Sequence, residues 1–433
     1  MDSSPGAPGA PQRAWRAACS FCGASVEFRS SVSPMAVCSY CRSTLVRDGE
    51  TLRRIGESAT LFDDHSPLAI GMGGRYQGAA FTLIGRIQLA YRTDEGDEGR
   101  WTEWHVLFDN GRTATFSEDN GRHVMSFPVR PASAVPVDAL RRQPLGETIM
   151  VDGRPWVLSS RVKVRLHAAE GELSRAPSAR GSWWVVELRN TADEVLSVEP
   201  DADPPVLDLG RSVDPRELAL TGLPDGKQPT EAAVQGQGRE CPSCGAGLHP
   251  TLESTKSLVC GHCHAVVDIS QGLGADLRFF KQQNGSEPLI PIGTTGRLRV
   301  GKTVDDWQVV GYQERHDEPT DPDEERTFWR EYLLYNREQG FAFLVDAEDG
   351  WSVVRTVTGV PALRQKITYR GVAYNKLYTY TACTTYVLGE FYWPVRRNQR
   401  TLNSDFVGTG TSHNLRLNRE KTGNEITWSA GET

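Results

Sequence analysis

The sequence predicts a mainly β chain built from repeated small SH3-like or twisted-sheet β-units, punctuated by two four-cysteine zinc ribbons. Three observations predict it. Two cysteine quartets share one spacing, C-x2-C-x15-C-x2-C, at Cys19, Cys22, Cys38, Cys41 and at Cys241, Cys244, Cys260, Cys263. Blocks of short aromatic and β-branched strands recur after the quartets. With 42 glycines and 25 prolines, and no helical periodicity beyond a short turn at 136–143, turns and strands dominate.

The elements follow in chain order. Residues 1–14 read as a disordered Pro/Gly/Ser lead-in with no apolar signal core. Residues 15–50 hold the first ribbon. A first β-unit is expected over 51–132, a second over 144–199 and a third over 288–360. Their openings look alike: Ile55-Gly56-Glu57-Ser58, Leu145-Gly146-Glu147-Thr148 and Ile292-Gly293-Thr294-Thr295. Each unit then shows an aromatic-led strand, a polar or acidic loop (93–100, 168–181, 316–326) and a second aromatic strand. Asn110-Gly111 marks a tight hairpin. Residues 200–238, rich in Pro, Gly and charge, read as a linker into the second ribbon at 239–270. Residues 361–433 read as a Tyr-rich hairpin with an extended polar C-terminal arm.

Each quartet supplies four thiolates, which complete a tetrahedral Zn2+ shell and leave no position for water; both ions are therefore structural. Folding energy for such small ribbons comes from the metal. His262 and His264 flank Cys263 and are read as solvated or outer-sphere residues. Cys383 reads as a buried strand residue. The acidic stretch 317–325 lacks EF-hand spacing and reads as a solvated hairpin tip. The pairs Trp101 with Trp104 and Trp183 with Trp184 read as core. The run Tyr386–Trp393 is the densest apolar-aromatic segment and the candidate partner surface.

No P-loop, GxGxxG, GxSxG or HExxH is present, so no catalytic and no cofactor-binding residue is assigned. Gly71-Met72-Gly73-Gly74 is glycine-rich without a following helix. The net charge is −7, and residues 239–281 balance four bases against four acids. No apolar stretch is long enough to span a bilayer. The expectation is a cytoplasmic protein with protein partners, with no nucleic acid and no transmembrane segment.

The segments IGESATL, FDNGRTATF, FPV, IGTTGRL, EYLLYNREQGFAFLV, YVLGEFYWPV and NREKTGNEITWSAGE resemble the uncharacterised bacterial family known as domain of unknown function 4178, from about residue 17 to the end. At 405–416 (DFVGTGTSHNLR) the chain departs from the family pattern, which has a proline pair after the Asp-aromatic step. The family has no established activity. Its links to phage shock protein A-like membrane-remodelling proteins imply a scaffold or adaptor accessory to a membrane-stress system, with partners at the membrane. Links to proteins resembling polyamine-synthesis enzymes imply the alternative: an enzyme, or a regulator of a polyamine-type enzyme, with a cleft between β-units.

Without a basic face, the chain is expected to bind DNA or RNA no tighter than micromolar at physiological salt. Filter binding or fluorescence anisotropy checks this, and sub-micromolar binding would contradict it.

Overall fold

The computed structural model describes the chain except residues 1–14, 31–32, 49–50, 58–67, 94–97, 120, 176–180, 222–238, 253, 271–276, 283–284, 320, 322, 364–366 and 397. The expected lead-in and residues 222–238 of the expected linker lie outside the described residues.

The fold is nearly all β, as expected, and its closure takes two units at a time. In the first half, eight strands form a closed antiparallel barrel: β1 (Ala79–Arg92), β2 (Glu98–Phe108), β3 (Thr113–Asp119), β4 (Arg122–Val129), β5 (Arg154–Leu173), β6 (Trp183–Arg189), β7 (Glu194–Glu199) and β8 (Val206–Val213). They run as two four-stranded meanders. First strand joins first (β1 with β5) and last joins last (β4 with β8), so the order is β1-β2-β3-β4-β8-β7-β6-β5 and back to β1. The second half repeats this with β9 (Thr303–Glu318), β10 (Phe328–Asn336), β11 (Gly340–Ala347), β12 (Gly350–Val357), β13 (Val372–Phe391), β14 (Arg400–Gly408), β15 (Leu415–Thr422) and β16 (Glu425–Glu432). Here β9 pairs with β13, and β12 with β16.

Four sequence expectations change. The supposed linker contains β8, which closes the first barrel between β4 and β7. The loop expected at 168–181 is strand as far as Leu173. The tail is no hairpin with an arm: it is a fourth meander, β13 to β16. Its alternation is hard to read because several inward positions are polar. The counterpart of Gly146 and Gly293 is Gly71, not Gly56. The N–H groups of Gly71, Gly146 and Gly293 donate to the carbonyls of Leu83, Leu158 and Val309 at 2.7–2.8 Å. Residues Thr51–Glu57 instead pair with Ser43–Asp48 of the first ribbon.

The 20-residue strands β5 and β13 tie everything together. Each pairs with one barrel neighbour along its first part, with the other along its second, and with a ribbon at its C-terminal end. Residues 172–173 pair with Ala36 and Met35, and residues 390–391 with Leu258 and Ser257. Where β1 crosses β5, Gly85 faces Gly171; where β9 crosses β13, Gly311 faces Gly389. Gly171 and Gly389 have φ of +72° and +82°, which L side chains rarely adopt. A Cβ at either would collide with the carbonyl oxygen of Ile84 or of Val310.

The next residue in each case is a buried glutamate. Glu172 accepts the backbone N–H groups of Arg29 (2.5 Å) and Ser30 (3.0 Å). Glu390 accepts those of Thr251 (2.8 Å) and Leu252 (3.0 Å) and the hydroxyls of Thr251 (2.7 Å) and Thr255 (2.5 Å). Both carboxylates thus clamp corresponding ribbon segments. The ribbon also buries Met35 and Val37 against Ile87, Leu89 and Trp183 of the first barrel.

The run Tyr386–Trp393 is not an exposed partner surface. Phe391 is 1% and Val387 2% exposed, packed with Val259 and Val266 of the second ribbon. Trp104, Trp183 and Cys383 are buried as expected. The helix Val137–Arg142 occupies the expected turn.

Glu390→Ala leaves two amides and two hydroxyls without their acceptor, each worth about 1–3 kcal/mol when buried. Urea unfolding is expected to show a loss of roughly 2–5 kcal/mol. A loss no larger than that of the exposed control Glu324→Ala would refute the clamp.

Candidate functional site

Four knuckles of one design hold the cysteines. In each, the residue after the second cysteine (Gly23, Arg42, Gly245, His264) has positive φ, between 56° and 78°. Its N–H returns to the carbonyl of the first cysteine at 2.8–2.9 Å. That turn points both thiols to one side. Cys19 and Cys41 are 3.7 Å apart, as are Cys22 and Cys38, Cys241 and Cys263, and Cys244 and Cys260. Within each quartet all sulfurs lie within 4.8 Å of one another. Sulfurs about 2.3 Å from a tetrahedral metal stand about 3.8 Å apart, so both donor sets fit one ion. None of these cysteines is in a disulfide.

The sequence-predicted ligands therefore meet in two groups, and no histidine joins either. His264 is the turn residue of its knuckle, and its carbonyl accepts Gln282. The Ser43 hydroxyl holds Cys41 down at about 6. The Ala265 N–H, above all, does the same for Cys263. In Cys22 and Cys244 the N–H of Ala24 or Ala246 acts in the same sense, but burial and the neighbouring thiols prevail and push both up to about 12. A cation entering either site would displace protons from its thiols.

A second group of polar residues, which sequence reasoning missed, fills the barrel interiors. In the first barrel Arg175 bonds Asp208 (2.6 Å) and Glu199 (2.9 Å), while the Trp101 indole N–H donates to Glu103 at 2.9 Å. Burial raises the Glu103 carboxyl. His105 Nδ1 meets the Ser174 hydroxyl at 2.7 Å, and burial drives this imidazole down to about 3, so it is neutral. In the second barrel the Trp329 indole donates to Glu331 at 2.7 Å, and Arg315 bonds Glu331 (3.2 Å), Glu420 (3.1 Å) and Thr401 (2.6 Å). Strands β9 and β15 are not neighbours, so the Arg315–Glu420 bond crosses the interior.

Register makes these sites equivalent. Glu103 and Glu331 each stand two residues before the partner of the crossing glycine, His105 or Leu333. Glu199 and Glu420 match likewise on β7 and β15. The arginine is what moved: it enters after β5 in one barrel and from the wall strand β9 in the other. The legible signal was Trp-x-Glu, at 101–103 and 329–331.

Each quartet sits in a ribbon docked on its own barrel, so the sites are energetically separate. Cys241→Ser is expected to release one metal ion per chain and leave the other bound, from two in the parent. Elemental analysis of the purified proteins checks this; loss of both ions would refute independence.

No curated protein matches the chain significantly. Among solved structures, a protein of unknown function from the DUF3598 family of Nostoc punctiforme aligns over 86% of this chain and 98% of its own, at 7% identity and a TM-score of 0.14, a likeness that carries no argument. The family model described as domain of unknown function (DUF4178) matches residues 69–215 and again residues 293–433. These spans coincide with the two barrels and together exceed half the chain. The chain belongs to the DUF4178 family, with two family domains in tandem, each preceded by a four-cysteine ribbon.

Proposed function

We propose that this is a non-enzymatic scaffold or adaptor whose two ribbons each hold a structural Zn2+ and whose first ribbon docks a protein partner. The donor chemistry supports zinc: four thiolates at tetrahedral spacing suit a soft, redox-inert ion and leave no position for a reacting water.

The observation that carries the docking role is the difference between the ribbons. At the knuckle tips of ribbon 1, Phe21 is 61% and Tyr40 80% exposed, with the Arg54 guanidinium 4.0 Å from the centre of the Phe21 ring. The same knuckle positions in ribbon 2 hold Ser243 and His262. Two exposed aromatics beside an arginine match the composition of protein-binding hot spots. The Glu172 clamp supplies a rigid mount for them.

The family resemblance supports reading it as an accessory of a phage shock protein A-like membrane-stress system, cytoplasmic, with its partner at the membrane surface. No helix among the described residues is long and apolar enough to cross a membrane. The alternative, an enzyme or regulator of a polyamine-type enzyme with a cleft between β-units, would need free carboxylates converging there; Glu103, Glu199, Glu331 and Glu420 are each bonded within the protein.

Phe21→Ser with Tyr40→Ser is expected to cut recovery of the main co-purifying protein from the native host at least about fivefold. Metal content and melting should stay unchanged. Equal recovery by the folded variant would remove ribbon 1 as the docking site.

A further inference from the structure

The duplication supplies an internal comparison of the two barrel mouths. In the first barrel the residue after the β5 bulge is Ser160, which faces Glu187, which faces Ser197. In the second, Tyr378 faces Asp405, which faces Asn418. Glu187 and Asp405 are therefore equivalent inward carboxylates. Two residues on, their strands differ: β6 carries Arg189 and β14 carries Val407.

Arg189 is fully buried, 3.5 Å from Glu187, and donates to the Thr358 carbonyl of the second barrel at 3.4 Å. That mouth is closed by the second barrel, through Val360 N–H to the Asn190 carbonyl and the Arg370–Asp193 ion pair at 3.0 Å. The equivalent mouth of the second barrel is open. Tyr378 is 57% exposed, and Leu377 beside it 44%.

Asp405 has hydrogen bonds from Asn418 (2.7 Å) and from Tyr380, and among the described residues no arginine or lysine is bonded to it. Burial raises its carboxyl, and Asp349 and Glu331 add to the negative field. Arg416, at the same mouth, is committed to the His413 carbonyl (2.6 Å) and to Asp349 (3.5 Å). The walls are aromatic: Tyr378 and Tyr380 have ring centres 5.8 Å apart, and Trp329 meets Tyr380 edge-on at 5.7 Å. Behind Trp329 lies Arg315, 7% exposed, whose buried Nε–H has no partner. A carboxylate with no cation bonded to it among the described residues, set among tyrosine faces, is the arrangement that holds an organic cation.

We propose that the open mouth of the second barrel binds a small organic cation, an ammonium or guanidinium group seated on Asp405 against Tyr378 and Tyr380. The group occupies the place that Arg189 fills in the first barrel. This goes beyond the adaptor role, since the mouth and the ribbon 1 knuckles are separate surfaces.

The test titrates the full-length, metal-loaded protein with ethylguanidinium chloride and with butylammonium chloride by calorimetry, against sodium chloride at equal ionic strength. At least one cation is expected to bind saturably, one per chain, with Kd of about 1 mM or tighter. Asp405→Asn should weaken it at least about tenfold. Val407→Arg restores the built-in guanidinium and should abolish binding while raising the melting temperature. If Asp405→Asn does not fold, Val407→Arg and the exposed-site variant Tyr378→Ala decide. Absence of saturable binding in the parent, or unchanged affinity in the folded variants, would overturn the proposal and leave a hydrated carboxylate.

Discussion

A carboxylate buried at the end of a long strand is the contact on which the domain plan depends. Glu172 and Glu390 come one residue after a glycine that lets two strands cross at close range. Each then collects backbone N–H groups from a ribbon that lies far away in sequence. Without that acceptor, the ribbon would bury unsatisfied amides wherever it packed. With it, a four-cysteine hairpin continues the sheet of the barrel. Because both copies keep the glycine pair and the glutamate, the ribbon is part of the repeating unit although the family match begins after it.

The barrel interiors follow from a second constraint. Charges inside a barrel must be neutralised where they stand, because water cannot do it. Each barrel keeps an acidic pair, Glu103 with Glu199 and Glu331 with Glu420, and each finds an arginine by a different route. The electrostatic requirement has been kept while the residue meeting it changed position. Such polar interiors fix register as well: a one-residue slip would point Glu331 outward and take from Arg315 one of its two carboxylates.

How much of this was legible depended on the sequence distance over which each feature is decided. The ribbons are local, and C-x2-C spacing with the turn residue Gly23 or Gly245 specifies them within a few positions. The Asn110-Gly111 hairpin is equally local. Barrel closure joins β1 to β5 and β4 to β8, and neither pairing is marked by any neighbouring residue. The tail was misread because Asn403, Asp405, Asn418 and Glu420 face inward, so β14 and β15 lack the apolar alternation that flags a strand. Gly56 was taken for Gly71 because Ile-Gly occurs at both places. Glu172 and Glu390 look like ordinary surface acids until the chain is folded. Only Gly-Glu-apolar at 171–173 and 389–391 hints at their role.

The order of these parts along the chain also sets an order in time. Ribbon 1 leaves the ribosome about 140 residues before its clamp, since Arg29 and Glu172 are 143 positions apart. At typical elongation rates that interval is on the order of 10 s. The second ribbon waits as long, with Leu252 and Glu390 separated by 138 positions. During each wait the nascent hairpin has no barrel to lean on, and a metal ion held by its four thiols would be what orders it. Each ribbon is therefore made well before the carboxylate that anchors it.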